Sequence, residues 1–161
     1  MTNQPDPVTL LEQIYDHTER VLAEIGPDQY ELPTPCTEWN VRELVNHVIG
    51  SVHFMASAVA GDAPPAGDPP DFTGSKQPAR EFRAVADRSL AVWRADGALD
   101  GMVHLGPVEL PATAALGLNQ LVVLTHSWDV AEAIGADRAM DPPVAESVLA
   151  ASQLRISDEM R

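Results

Sequence analysis

Two histidines, His47 and His126, are the side chains whose positions point most directly to chemistry. Each falls on the inward face of a segment with helical periodicity, so folding would bring two buried imidazoles together inside a helical domain. Imidazole nitrogen is a common ligand for zinc and similar divalent ions, which need several N, O or S donors. The pair therefore predicts a metal site if the chain also supplies a third ligand.

A third ligand next to His126 is not obvious. Asp129 follows His126 by three residues, so its carboxylate could orient the imidazole from behind, bind the ion directly or hold a neighbouring helix. The position one turn before His126 is Val122, which has no donor atom. Both members of the pair also have a simpler interpretation, as core-edge histidines whose nitrogens bond to backbone or water.

Other residues that could bind a metal or react have weaker signals. His104 and His17 are outside candidates for the missing ligand, although surface and edge histidines are common. His53 follows His47 by six residues and is rotated from it by about 120°, which predicts surface exposure. Cys36 precedes a helix, where the macrodipole would stabilise a thiolate, but a buried, inert thiol is the simpler interpretation.

Helical periodicity runs through most of the chain and supplies the elements that must position these residues. The predicted helices run from Leu10 to Ile25, from Asn40 to about Gly61, from Pro78 to near Gly97, from about Thr113 to Gly135, and onward from Asp141. The stretch 61–75 is a loop rich in proline and glycine, and 102–110 alternates around Gly106 as an extended or hairpin-like crossing. This pattern predicts an all-α, up-and-down bundle of four main helices.

The start of the second helix carries the clearest local signal. Asn40 is the predicted N-cap, and Glu43 at the third helical position completes a capping box. Trp39 is most simply the hydrophobic residue that packs against the first turns of that helix. The sequence therefore fixes where the helix that carries His47 begins.

Composition limits the function classes. The chain has 161 residues and 45% apolar content, enough for one domain with its own core, so a metal is not needed for folding. A net charge of -14 would repel phosphate backbones and anionic lipid. The expected partner is a small-molecule substrate, not nucleic acid or a membrane, and self-association into a homodimer stays open.

The termini and the cysteine content bear on localisation and domain organisation. The first residues lack the charged and apolar regions of a signal peptide, and no apolar run approaches the roughly 18 residues of a membrane span. A single cysteine fits a reducing compartment, so we expect a cytoplasmic protein. We expect residues 1–161 to form one domain, and the helical pattern still running at Arg161 indicates a missing C-terminal continuation.

Two stretches of the sequence resemble a known family. The stretch from Leu32 to His47, LPTPCTEWNVRELVNH, looks like the N-terminal signature of actinobacterial DinB-like proteins, which are related to the metal-binding domain of mycothiol-dependent maleylpyruvate isomerase. The stretch from His126 to Ala131, HSWDVA, followed by Gly135, resembles their second signature.

The resemblance implies an antiparallel four-helix bundle that holds a divalent metal, often zinc. Its ligands would be histidines matching His47 and His126 and an acidic residue one turn before the latter. Val122 stands at that acidic position here, so a metal such as zinc or nickel would be bound weakly or not at all.

Two main functions remain open. The first is a metal-dependent isomerase or transferase that uses a thiol such as mycothiol, with His47, His126 and Asp129 as catalytic residues and the two histidines as metal ligands. The bound ion would lower the pKa of the thiol and polarise a carbonyl. The second is a metal-free, degenerate member that binds or transforms a hydrophobic small molecule in the bundle pocket. A purely structural or interaction module is a weaker third alternative.

Overall fold

The computed structural model describes residues 6–62 and 70–153, which are mostly helical. Within these ranges lie five helices and one two-stranded antiparallel sheet. The elements are α1 (Pro7–Ala23), α2 (Val41–Ala60), α3 (Pro78–Trp93), β1 (Met102–Leu105), β2 (Val108–Pro111), α4 (Ala112–Ile134) and α5 (Pro142–Gln153). The predominantly helical prediction is confirmed, and the predicted crossing near 102–110 is a hairpin in which Val103 pairs with Leu110.

The predicted ends of α2 and α4 agree closely with the structure. Asn40 Oδ1 accepts a hydrogen bond from the Glu43 amide at 3.0 Å, and the Asn40 amide donates to Glu43 Oε2 at 2.9 Å. Gly61 and Gly135 end the two helices in the left-handed region, with φ of 75° and 71°. Glycine adopts this conformation without steric cost, so it stops a helix reliably.

Helices α1 and α3 end earlier than the sequence suggests. The prediction placed their ends at Ile25 and near Gly97, whereas the last helical residues are Ala23 and Trp93. After Trp93 the backbone hydrogen bonds join residues only three apart and form turns, such as the bond from the Asp100 amide to the Gly97 carbonyl at 3.0 Å. The glycine therefore marks a turn beyond the helix, because the apolar stripe of α3 already finishes at Trp93.

Four helices surround a common core. Helices α1 and α2 each pack against both α3 and α4, while α5 packs on α4 and α1, and the hairpin packs on α2 and α4. The largest side chains that are almost fully buried include Trp93, Tyr15, Phe82, Leu11, Ile14, Leu44 and Leu116. Contact between α2 and α4 makes the two helices that carry His47 and His126 direct neighbours.

A small polar network crosses this apolar core. The Tyr15 hydroxyl lies 2.9 Å from Ser89 Oγ and accepts a hydrogen bond from Asn119 Nδ2 at 2.8 Å. The three residues belong to α1, α3 and α4. Burial raises the pKa of Tyr15 to about 12, so the hydroxyl stays neutral and its hydrogen bonds hold at any physiological pH.

The long loop predicted at 61–75 lies only partly within the described residues. Its second part is attached to α2, because Asn46 Nδ2 donates to Asp71 Oδ1 at 3.0 Å and the Phe72 amide donates to Asn46 Oδ1 at 2.7 Å. Residues 63–69 and the continuation expected after Arg161 fall outside the description. Among the described helices, none is long and apolar enough to cross a membrane.

Candidate functional site

His47 is half-buried on α2 and lies against the indole of Trp39. The two ring centroids are 4.4 Å apart, and the ring planes are inclined by 35°. Thr34 holds the segment before the helix in place, since its hydroxyl lies 3.0 Å from the Cys36 carbonyl and 2.8 Å from the Trp39 carbonyl. The loop thus fixes one face of the His47 ring.

His126 on α4 is paired with Asp129 one turn later. His126 Nδ1 lies 3.1 Å from Asp129 Oδ2, and the two side chains are 18% and 12% exposed. A carboxylate at this distance accepts the proton of Nδ1, which leaves the lone pair of Nε2 available. Of the three roles that the sequence left open for Asp129, the geometry favours orienting the imidazole.

The structure brings the two imidazoles together. Their centroids are 5.1 Å apart and their planes are nearly perpendicular, at 84°. Two imidazoles bound at about 2.1 Å to one tetrahedral zinc ion have ring centroids roughly 5 Å apart, because each centroid lies about 3.2 Å from the metal. The spacing of His47 and His126 therefore suits two ligands of a single ion.

The protonation of His47 also suits this use. Burial lowers the pKa of His47, and the neighbouring His126 lowers it further through charge repulsion. The neutral ring keeps a lone pair on one nitrogen, which both a metal ligand and a general base require.

A complete ligand set does not assemble around the pair. Within residues 6–62 and 70–153, no group of three or more His, Cys, Asp or Glu side chains is placed to hold a metal ion. Neither His104 nor His17 therefore joins His47 and His126 as a third ligand. Val122 is half-buried and brings no donor, so the residues present fit an ion only as a two-histidine site with open positions.

The remaining candidates lie elsewhere. His104 is on the hairpin with 75% of its side chain exposed, and its Nε2 lies 3.6 Å from Glu109 Oε1 on the opposite strand. His53, predicted on the surface, is half-buried, and its Nε2 is 3.3 Å from an Arg88 guanidinium nitrogen. Cys36 is a free, half-buried thiol.

Two positions differ from their sequence interpretation. His17, expected at the edge of an apolar stripe, is only 4% exposed, because α5 packs on both α1 and α4. Trp39, expected only to pack near the start of α2, contacts the ring of His47 and lies 6.0 Å from that of His126. The available signal was the position of Trp39 just before the N-cap, from which such a residue packs toward Leu44 in the second turn. His47 follows Leu44 by three residues and therefore lies on the same helix face.

Comparisons with known proteins point to one family. The sequence profile of the mycothiol maleylpyruvate isomerase N-terminal domain matches residues 11–131, a range that includes Trp39, His47, His126 and Asp129. Two relatives, both described as uncharacterized proteins, come from Mycobacterium tuberculosis strains CDC 1551 and H37Rv. Each is 31% identical over 156 residues, which cover 97% of this chain and 82% of the relative. No solved structure matches the chain significantly.

Proposed function

The chain belongs to the mycothiol maleylpyruvate isomerase N-terminal domain family, and we propose that it is a small-molecule enzyme whose reaction centre is the pair His47 and His126. The observation that carries this proposal is the 5.1 Å spacing of the two ring centroids. Asp129 supports it, because it orients His126, and so does the burial that keeps His47 neutral. The proposed architecture is an antiparallel, DinB-like four-helix bundle formed by α1 to α4.

In this proposal His126 Nε2 and one ring nitrogen of His47 would hold one divalent ion, zinc or nickel. When bound, such an ion lowers the pKa of a coordinated thiol and polarises a carbonyl. Two neutral ligands leave the ion with its full positive charge and several open positions, so it exchanges readily. The valine at position 122 thus predicts partial metal occupancy in purified protein.

The proposed reaction uses a low-molecular-weight thiol such as mycothiol, which the family description suggests. Because Nδ1 of His126 is paired with Asp129 and Nε2 would bind the ion, the thiol proton passes to solvent water. The thiolate sulfur bonds to an alkene carbon conjugated to a carbonyl, and the π electrons move onto the carbonyl oxygen. The former carbon–carbon double bond is now single and can rotate. Loss of the thiolate then restores the double bond in the other geometry, and the thiol is regenerated.

A transfer reaction would use the same residues. The thiolate sulfur would displace a leaving group from an electrophilic carbon, and that group would depart with the bonding electron pair as an anion. Trp39 excludes water from one face of His47 in either case. We expect both reactions in the cytoplasm, with a small molecule as the partner.

A metal-free enzyme is the second candidate, and the apolar side chain at Val122 favours it. His126 with Asp129 would then act as a general base without an ion, and His47 would donate a hydrogen bond to the developing oxyanion. The substrate would be a hydrophobic molecule.

Metal analysis and a thiol assay test the first candidate and separate it from the second. Protein purified without chelator should hold less than one equivalent of zinc or nickel, and His126→Ala should lose it. Added zinc should raise the rate of mycothiol-dependent maleylpyruvate isomerisation or of thiol transfer to a chloronitrobenzene. A rate unchanged by zinc and by chelator, but lost in His126→Ala, would support the metal-free candidate. Equal activity in wild type and His126→Ala would overturn both.

A further inference from the structure

A cavity lies on the side of α4 opposite the His47–His126 pair. Its volume is about 390 Å³, and it is lined by residues of α1, α4, α5 and the α4–α5 connection, including His17, Leu124, Trp128, Arg138, Met140 and Ala145. Small-molecule sites in proteins have volumes of about 300 to 1,000 Å³. The cavity is therefore large enough for a compact ligand.

The cavity is separate from the proposed reaction centre. Leu124 and Trp128 lie two residues before and two residues after His126. At about 100° per residue, each side chain points roughly 160° away from His126 around α4. A molecule in the cavity thus contacts the helix on the face opposite the His47–His126 pair.

His17 is a polar residue in the lining of this cavity. It is 4% exposed, and its ring nitrogens have no hydrogen-bond partner among the residues that the structure describes. These nitrogens are not among the fully buried atoms that lack a partner, so they are accessible from the cavity. The imidazole is therefore placed to bond with a molecule inside the cavity.

The lining defines the chemistry of that molecule. Burial lowers the pKa of His17, so the neutral ring offers one donor and one acceptor, which a hydroxyl group complements. Trp128 is 43% exposed and offers an aromatic surface. The Arg138 guanidinium lies 5.4 Å from the Trp128 ring centroid and is ion-paired with Glu132. Because its charge is already paired, a neutral ligand suits the site better than an anion.

We propose that this cavity is a second ligand site for a neutral, planar aromatic molecule with one hydroxyl group. The ring packs between Trp128 and the apolar residues Leu124 and Met140, and the hydroxyl bonds to His17. The site goes beyond the proposed reaction and does not depend on it.

Binding of 4-methylphenol and toluene, measured by ligand-observed NMR, tests the assignment because the two probes differ by the hydroxyl. Wild type should bind 4-methylphenol about tenfold more tightly than toluene, the ratio expected for one buried hydrogen bond. His17→Phe should abolish this preference and leave toluene binding similar. A preference for 4-methylphenol that persists in folded His17→Phe would overturn the proposal. Failure of 4-methylphenol to bind wild type would also overturn it and would indicate that the cavity holds only water.

A second variant keeps the test decisive if His17→Phe does not fold. Ala145→Phe fills the cavity from α5 without replacing a buried side chain, and it should abolish binding of both probes. His47→Ala should leave both affinities unchanged. Binding that survives Ala145→Phe, or that is lost in folded His47→Ala, would place the probe elsewhere and overturn the assignment.

Discussion

His47 and His17 are both histidines whose pKa is lowered mainly by burial, yet their surroundings differ. His47 faces a second imidazole that a carboxylate orients, and an indole covers one of its sides. His17 faces a mostly apolar cavity and has no second titratable ring beside it among the described aromatic contacts. Burial makes each ring neutral, so the neighbours decide whether it suits proton transfer and metal binding or ligand recognition.

Removing one ring of the His47–His126 pair should cause the largest change in metal affinity and in activity. His126→Ala leaves a single nitrogen donor for an ion, and in the metal-free candidate it deletes the general base, so we expect metal affinity and thiol-dependent activity to fall by at least about a hundredfold. Metal titration by calorimetry and the isomerisation assay measure both. His53→Ala is the matched control on α2, and losses of equal size there would remove the distinction between the pair and other histidines.

Adding the missing carboxylate should have the next largest effect. Val122→Glu supplies an anionic oxygen one turn before His126, and we expect zinc or nickel affinity to rise by about ten- to a hundredfold. Val122→Gln has the same shape without the charge and should give a smaller gain. Equal affinities in wild type and Val122→Glu would show that position 122 cannot reach the ion or that another ligand already completes the site.

Releasing His126 from its carboxylate should have a smaller effect. Asp129→Asn replaces the acceptor for the Nδ1 proton by a neutral amide, so the imidazole is less basic and less well oriented. We expect about a tenfold loss in metal affinity and in kcat. A loss as complete as that of His126→Ala would instead make Asp129 a direct ligand.

The smallest expected effect is the contribution of His17 to the pH dependence of folding stability. Its folded pKa lies below the ordinary value of 6.5, so the unfolded chain takes up the proton first as the pH falls. The stability that the neutral ring allows above pH 6.5 is lost between this value and the lower folded pKa. His17→Phe cannot take up a proton. Its Tm relative to wild type should therefore rise between about pH 7.5 and pH 5 in thermal melts, and a constant difference would contradict the neutral assignment.

Local patterns predicted some features of the molecule well. The start of α2 follows from Asn40 and Glu43, and its end follows from Gly61, because these signals act through hydrogen bonds or backbone angles a few residues apart. The convergence of His47 and His126 followed from helical periodicity together with the expectation of neighbouring helices.

Other features depend on contacts between distant segments. The burial of His17 requires α5 to pack on α1 and α4, and no periodicity within α1 encodes this. The position of Trp39 over His47 depends on the turn that Thr34 stabilises through two carbonyls. These outcomes come from tertiary packing, which single-sequence patterns do not specify.

The hydrogen bond from Asn119 to Tyr15 helps to fix the axial position of α4 against α1. Most buried residues of α4 are apolar or small, so a slide by one turn, about 5.4 Å, would exchange many apolar contacts for similar ones. The slide would leave Asn119 and Tyr15 buried without their partners, which opposes it strongly. A slide of this length is as large as the 5.1 Å distance between the two imidazole centroids, so it would also separate His126 from His47. Together with the hydrogen bond from Gln120 Nε2 to the Pro7 carbonyl at 2.7 Å, this buried amide thus keeps α4 aligned with α1, two helical turns from the proposed reaction centre.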